Sequence, residues 1–205
     1  ARGFGGHPTR SRATLRGMRV PVELARSYRL LNHGPVCLVS AAADGRQNVM
    51  AAAWVMPLDF DPPKFGVVVA CEAFTRELVE ASGELTLSIP CRAQVDLVQA
   101  LGTTSGRDLD KAARFGLTLT PGSRVAAPLV EGCVGWLECR VLPEPHVQAA
   151  YDLFIVEALA AFAEDTAFQN GRWVFADASQ RTLHHVAGGN YFVTGEAIAA
   201  APERL

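Results

Sequence analysis

A chain of 205 residues, 49% of them apolar, with a formal net charge of -2, has the length and composition of one domain with a substantial core. That charge gives no field to hold a polyanion, and no basic stripe follows residue 30, which speaks against sequence-independent nucleic-acid binding. Charges or turn residues interrupt every apolar run before it reaches the length of a membrane span, so a soluble protein is expected.

Residues 1–17 are of a different material. Arg2, Arg10, Arg12 and Arg16 stand there without an acid, glycine and proline are frequent, and apolar periodicity is missing. The segment has no hydrophobic stretch of a secretory signal, and its composition predicts disorder. The domain is expected to run over 18–205, with Met18 a candidate natural start.

From Pro21 the pattern becomes globular. Val22 to Leu31 reads as a short helix ending at the turn Asn32-His33-Gly34-Pro35. Val36 to Ala42 reads as a strand, Asp44-Gly45-Arg46 is hairpin chemistry, and a second strand starts at Asn48. The stretch from Asn48 to Pro63 organises the rest. Ala51, Ala52 and Ala53 are weak strand formers in an otherwise apolar run, and small residues suit a place where something flat lies against the peptide groups. An alanine-rich strand packed under a helix would show the same composition. Trp54 supplies an aromatic wall, and Asp61-Pro62-Pro63 stops the strand.

Phe65 to Cys71 is a further strand. Thr75 to Ser82 is a short helix with Thr75 at its N-cap and Gly83 beyond its end. Leu85 to Ile89 alternates and stops at Pro90; Ala93 to Leu101 is helical; a second short helix, Leu109 to Phe115, is closed by Gly116. Gly132 to Val141 alternates until Pro143 and Pro145 break it. Asp152 to Phe162 is a nearly continuous apolar run in which periodicity does not separate strand from helix. Trp173 to Ala176 and a last segment, Leu183 to Gly195, close the domain. Many strands with hairpin turns and few short helices predict a closed antiparallel barrel.

Few residues carry chemistry. A threonine at a helix start, with the free amides of the first turn and Arg76 beside it, makes an anion site. The loop Gly102-Thr103-Thr104-Ser105-Gly106-Arg107 has hydroxyls and glycine amides that can face phosphate oxygens, without being a P-loop. His184 and His185 are adjacent, so on a strand they face opposite ways, and no ligand cluster accompanies them; no metal is expected. No triad order, nucleophile elbow or GxGxxG is present. Cys37, Cys71, Cys91, Cys133 and Cys139 lack CxxC spacing, and four of them lie inside apolar runs, as reduced buried thiols do. Cys133 and Cys139 would share a strand face roughly 20 Å apart, beyond disulfide reach. A cytoplasmic location fits best.

Asn48-Val49-Met50 followed by Trp54 and then Phe60-Asp61-Pro62-Pro63 resembles the first signature of the flavin reductase-like family, whose fold is the FMN-binding split β-barrel. Thr75, the run from Ser105 to Lys111 (SGRDLDK), the strand Gly132 to Val141 and the closing LHHVAGGNYFVTG match in the same order, so the resemblance spans Val20 to Gly195, with flavoredoxin-type members nearest. It implies a mainly β fold with short helices and non-covalent FMN. Asn48, Val49, Met50, Ala51 and Trp54 would face the flavin. Thr75, Thr103, Ser105, Gly106 and Lys111, the last one turn into its helix, would hold its phosphate side or ring edge. Tyr191 or His185 would border it, and Tyr151 stands where relatives carry a histidine beside it. The resemblance further implies hydride transfer from NADH or NADPH to the flavin and electrons onward to free flavin, an oxygenase or another protein. A homodimer with the flavin near the subunit interface is expected. A flavin-binding electron carrier that does not oxidise NAD(P)H is the alternative, and a pyridoxamine-phosphate-oxidase-like enzyme on the same barrel ranks below both. No catalytic side chain is identified.

Overall fold

The computed structural model describes residues 17–201. The disorder expected over residues 1–17 lies, Gly17 apart, outside the described part. Fourteen strands and four α-helices follow, and every strand pairing is antiparallel. The main sheet contains β1 (Arg19–Pro21), β2 (Cys37–Ala43), β3 (Arg46–Ala52), β4 (Val55–Phe60), β5 (Pro63–Val68), β6 (Glu84–Ile89), β9 (Gly135–Leu142) and β10 (Leu153–Glu164). Two-residue strands β7 (Leu119–Thr120), β8 (Leu129–Val130), β11 (Phe168–Gln169) and β12 (Arg172–Trp173) pair as small ribbons, and β13 (Leu183–Ala187) with β14 (Asn190–Val193) forms a separate hairpin. The helices are α1 (Phe74–Ser82), α2 (Val95–Thr103), α3 (Lys111–Phe115) and α4 (Pro145–Tyr151).

The strand order β3-β2-β6-β9-β10-β5-β4 puts β3 and β4 at opposite ends of the path. Yet only Ala53 and Trp54 separate them in the chain. Seven strands laid flat would hold those edges roughly 29 Å apart, and two residues reach about 7 Å. The sheet therefore curls until its edges nearly meet, which is the expected split barrel. β10 completes it: its first half pairs with β5, its end pairs with β1, and a register shift between Ala158 and Ala160 bends it where the partners change.

The single strand expected from Asn48 to the prolines is thus two strands. The break comes at Ala53-Trp54, and Asp61-Pro62 forms the turn of the β4–β5 hairpin, with Pro63 opening β5. Proline is tolerated at the first residue of a strand, so it punctuates here without ending the sheet. Local turn chemistry elsewhere behaves as expected: Asp44 and Gly45 both take positive φ between β2 and β3, as a type I′ hairpin turn requires. Two elements differ. The run around Arg26 forms a 3-10 helix, Leu24–Leu30. The proline break after β9 contains α4, with Pro145 at a first-turn position where its missing N–H costs nothing. The ambiguous run from Asp152 is strand throughout.

Two cores lie on the two faces of the curled sheet. Cys37, Val39, Ala41, Leu85, Leu87, Leu137, Phe154 and Val156 fill the barrel. Val36, Leu38, Val49, Val98, Leu101 and Trp136 pack β2, β3 and β9 against α2 outside it. The alternation of β2 is visible in that division, since odd and even positions supply different cores. Each valine, leucine or phenylalanine among them contributes roughly 1.5–3 kcal/mol on burial. Cys37, Cys91, Cys133 and Cys139 are buried, whereas Cys71, which sits in an apolar run, is exposed in the turn before α1; all five are free thiols. Cys133 precedes β9 instead of sharing it with Cys139.

Candidate functional site

At the Ala53-Trp54 crossing the barrel opens into a cavity of about 730 Å³. One wall is the end of β3 and the crossing itself, Met50 to Trp54, with Val68 and Ala70 beside it. Val68 N–H donates to Trp54 O at 3.0 Å and ties the crossing to β5. The three alanines leave this wall almost flat. A second wall is α2, through Val98, Gln99, Gly102 and Thr103, and a third is the β13–β14 hairpin, through His185 to Gly189 and Tyr191. Among the described residues, no aspartate, glutamate, lysine or arginine lines the cavity. The described residues contain no group of His, Cys, Asp and Glu able to hold a metal.

Behind the first two walls sits Lys111. It is 4% exposed, and its Nζ donates to Val49 O at 3.0 Å and to Leu101 O at 2.9 Å. Each carbonyl is next in sequence to a residue that lines the cavity, Met50 on β3 and Gly102 on α2. The charged neighbours in sequence suggest a solvated lysine one turn into its helix; instead it is the first residue of α3, after the Asp110 N-cap, and turned inward. Burial pushes its pKa down to about 8. An ammonium has three N–H donors, so the two carbonyls leave one donor and, among the described residues, a charge without a counter-ion. A buried cation in that state is suited to an electronegative partner brought by a ligand.

Asn48, Thr75 and Gly106 meet beside it. Asn48 Nδ2 donates to Thr75 Oγ1 at 2.8 Å, both side chains being buried. Gly106 lies so close that a Cβ there would overlap the Asn48 amide. Thr75 is not the N-cap expected from the sequence. Ala73 holds that position without a side-chain bond, and Thr75 is the second residue of the helix, its hydroxyl oxygen accepting from Asn48. Arg76 does not join an anion site either. Its guanidinium points to the other side of α1, where it pairs with Asp152, donates to Glu80 Oε1 at 2.7 Å and to Gln148 O at 3.1 Å, and so fastens α1 to the end of α4.

The remaining expected residues divide. Val49, Met50, Ala51, Trp54, Thr103 and Tyr191 gather at the cavity or its backing, with Trp54 75% exposed. Thr103 Oγ1 donates to Gln99 O at 2.9 Å within its own helix. Ser105 Oγ accepts from Arg107 N–H at 3.2 Å in the loop, and Gly106 borders a second, more polar cavity of about 700 Å³ between the β2–β3 turn and that loop. Tyr151 ends α4, exposed, and lines neither cavity. Gln99 was not legible: it accepts from Tyr191 Oη at 2.8 Å across the cavity, a contact set by how the hairpin folds over α2. The Gly188-Gly189 turn, both residues at positive φ, was the one local signal for that hairpin.

The hairpin is anchored at its base. Val36 N–H donates to Leu183 O at 2.8 Å, Thr182 and Thr194 hydroxyls bond each other, His33 Nε2 lies 2.7 Å from Thr182 Oγ1, and His184 reaches Gly34 O and Thr194 Oγ1 at 3.0 and 3.1 Å. Burial and the neighbouring His184 lower the pKa of His33 to about 4. His185 faces the cavity from the other side of the strand.

This geometry suits FMN: a flat, small-residue wall, ring-sized space, and a buried lysine short of a partner. The flavin reductase like domain model matches residues 29–188. A solved FMN-binding domain of a flavin reductases-like enzyme from Shewanella baltica OS155 superposes with a TM-score of 0.89 at 42% identity, covering 92% of this chain and 100% of that one. Flavoredoxin of Desulfovibrio vulgaris (Miyazaki F) gives 0.73 at 25% identity, over 96% and 99%. An uncharacterized protein of Escherichia coli (strain K12), YddH, is 40% identical over 184 residues, 88% of this chain and 97% of its own length. With the fold, the ordered motifs and these matches in agreement, the chain belongs to the flavin reductase like domain family.

Proposed function

We propose that the protein binds FMN non-covalently in the larger cavity and accepts hydride on it from NADH or NADPH, passing electrons to free flavin, an oxygenase or another protein. The observation that carries this is the cavity itself: about 730 Å³ without a charged lining residue, walled by Met50 to Trp54 and backed by Lys111. When bound, the flavin supplies the hydride and electron chemistry. The chain's part is positional. Met50 to Trp54 present backbone and small side chains to a flat ring. Lys111 offers its third N–H and its charge to a flavin oxygen, and the Asn48–Thr75 pair, held by Gly106, fixes the strand it leans on. Cytoplasmic residence accords with four buried free thiols.

We also propose a homodimer. Trp54, Met56 and Leu58 are 75%, 51% and 45% exposed at alternate positions, Met56 and Leu58 lying together beside Gly66, and Phe60, 64% exposed, follows beyond the register shift between Pro57 and Asp59. Such a row on a sheet edge is suited to cover by another surface. A second copy would cover it and border the flavin cavity through Trp54.

The carrier alternative is favoured by one observation: apart from Lys111 behind the wall, which the flavin would use, no cation among the described residues lines the cavity for a dinucleotide's phosphates. Stopped-flow mixing of the yellow protein with NADH and with NADPH separates the two. Fast bleaching by either supports the reductase; no bleaching by both, with bleaching by a chemical reductant, supports the carrier. A purified protein that is colourless and takes up no added FMN would overturn both.

A further inference from the structure

We infer that Lys111 sets the redox balance of the bound flavin, its ammonium favouring the negatively charged reduced ring over the neutral oxidised one. This deepens the flavin reading above and rests on it. Hydride transfer is the source of the charge. A neutral ring that takes two electrons and one proton as hydride from NADH or NADPH, leaving NAD(P)+, holds one negative charge until a second proton arrives.

The ring and the phosphate have different cations within reach. Lys111 Nζ bonds Val49 O and Leu101 O, and next in sequence are Met50 and Gly102, which line the larger cavity. Its charge therefore stands behind the wall on which the ring would lie. Gly106 and Arg107 border the second, more polar cavity together with Arg46. The Arg46 guanidinium lies 5.1 Å over the Phe74 ring and joins no ion pair among the described residues. A flavin whose tail follows the loop from Thr103 to Gly106 carries its phosphate toward Arg46 and leaves Lys111 to the ring.

Burial makes this cation effective. In a water-poor interior a unit charge acts over several ångströms far more strongly than at a surface, so contact with the ring is not required. The charged residues of the elements around Lys111 are Arg46 on β3, Asp96 on α2, Arg114 on α3, and Arg107, Asp108 and Asp110 on the loop. None of them pairs with it: Arg107 is bonded to Glu77, and Asp110 accepts from Ala113 N–H. Burial alone shifts its pKa, to about 8, so at pH 7 it is mostly protonated.

The test measures the midpoint potential of the FMN-loaded protein from pH 7 to 9, by equilibration with a redox dye. At pH 7, Lys111→Met is expected to lose a ten- to hundredfold preference for reduced over oxidised FMN, which lowers the midpoint by about 30–60 mV. Lys111→Gln keeps N–H donors for the carbonyls without the charge, and should behave like Lys111→Met. The wild type supplies a readout that needs no variant. One proton taken up with two electrons is tenfold per pH unit, about 30 mV. Above pH 8 the lysine is neutral beside oxidised flavin and regains its proton on reduction, so the wild-type slope should steepen toward about 60 mV per pH unit. Both variants should keep about 30. An unchanged midpoint in Lys111→Met, a wild-type midpoint in Lys111→Gln, or a wild-type slope that never steepens would overturn the inference while the protein stays yellow. A protein that never takes up FMN would instead remove the flavin reading, and this inference with it.

Discussion

The cavity has one wall that is part of the core and one that is not. On the β3–α2 side, Lys111, Asn48 and Thr75 are buried and bonded to backbone or to each other, and Val49, Val98 and Leu101 pack behind them. On the other side, His185 to Asn190 are exposed in a hairpin that pairs only with itself. An isolated two-stranded ribbon is marginal in water. This one is secured by the bonds at its base and by a single side-chain bond near its tip, Tyr191 to Gln99. On the proposed flavin reading, the difference predicts a division of labour: the buried wall would set where a flavin sits, and the hairpin how readily the site exchanges its contents.

The largest effect should come from the buried wall. Lys111→Met removes a charge-assisted contact of about 1.5–3 kcal/mol, so FMN affinity should fall roughly ten- to a hundred-fold by titration. Riboflavin separates the contacts: equal riboflavin binding by variant and wild type would assign Lys111 to the phosphate, and a matching loss would assign it to the ring. The same residue gives a pH signature. Its folded pKa, about 8, lies below the ordinary 10.5, so between those values the unfolded chain holds the extra proton and the lysine's contribution to the stability of the flavin-free protein rises with pH, opposed above about 9 by the buried thiols, whose pKa burial raises. That rise should be missing from urea melts of Lys111→Met. If both proteins show it, the lysine is not buried as described.

Next comes Gly106→Ala. The added methyl must displace Asn48 and break its bond to Thr75. Overpacking of that kind costs about 1–3 kcal/mol, readable as a lower urea midpoint together with weaker FMN binding. An unchanged midpoint would mean the loop moves aside freely and the pair is not held by it.

The hairpin answers to acid instead. His33 titrates at about 4 in the folded protein against 6.5 ordinarily, with His184 as the titratable group facing it. Over that window the unfolded chain binds the extra proton, so stability falls as pH drops from 6.5 towards 4, by roughly 2–3 kcal/mol in all. Amides of β13 and β14 should lose exchange protection first, while those of β3 keep theirs. His33→Phe should remove the acid dependence. Equal loss in both walls would refute the division.

Smallest is Tyr191→Phe. One neutral hydrogen bond contributes about 0.5–1.5 kcal/mol, so FMN should dissociate about two- to tenfold faster with little change in the urea midpoint. A slower release would mean that the Gln99 contact holds the site open.

How much of this the sequence reveals depends on how local each cause is. The β2–β3 turn and the ends of α1 and α3 are readable because Asp44, Gly45, Gly83 and Gly116 take positive φ, a demand that residue type announces. The β3–β4 break is not, because Ala53-Trp54 continues an apolar run, and only the closing of the sheet forces a crossing there. α4 is hidden by Pro145, which reads as a stop and serves as a start. Lys111 stands among Arg107, Asp108, Asp110 and Arg114, a solvated context by composition; its burial comes from β3 and α2 closing over it. Thr75 stands out by type and order, but Asn48, whose amide donates to its hydroxyl, is 27 residues away and unreadable from either.

β1 has a consequence of a different kind. Its three residues pair with Phe162, Ala163 and Glu164, the end of β10 that β5 does not reach. They act as a cover strip: without them that stretch of β10 would present bare N–H and C=O groups on one side, a template for other chains. Arg19 adds weight to the strip, its guanidinium lying 4.0 Å over the Trp136 ring and bonded to Glu131. A chain trimmed to begin after Pro21 would keep the whole cavity and yet expose a new sticky edge, so its failure would show as aggregation at high concentration before any loss of bound flavin.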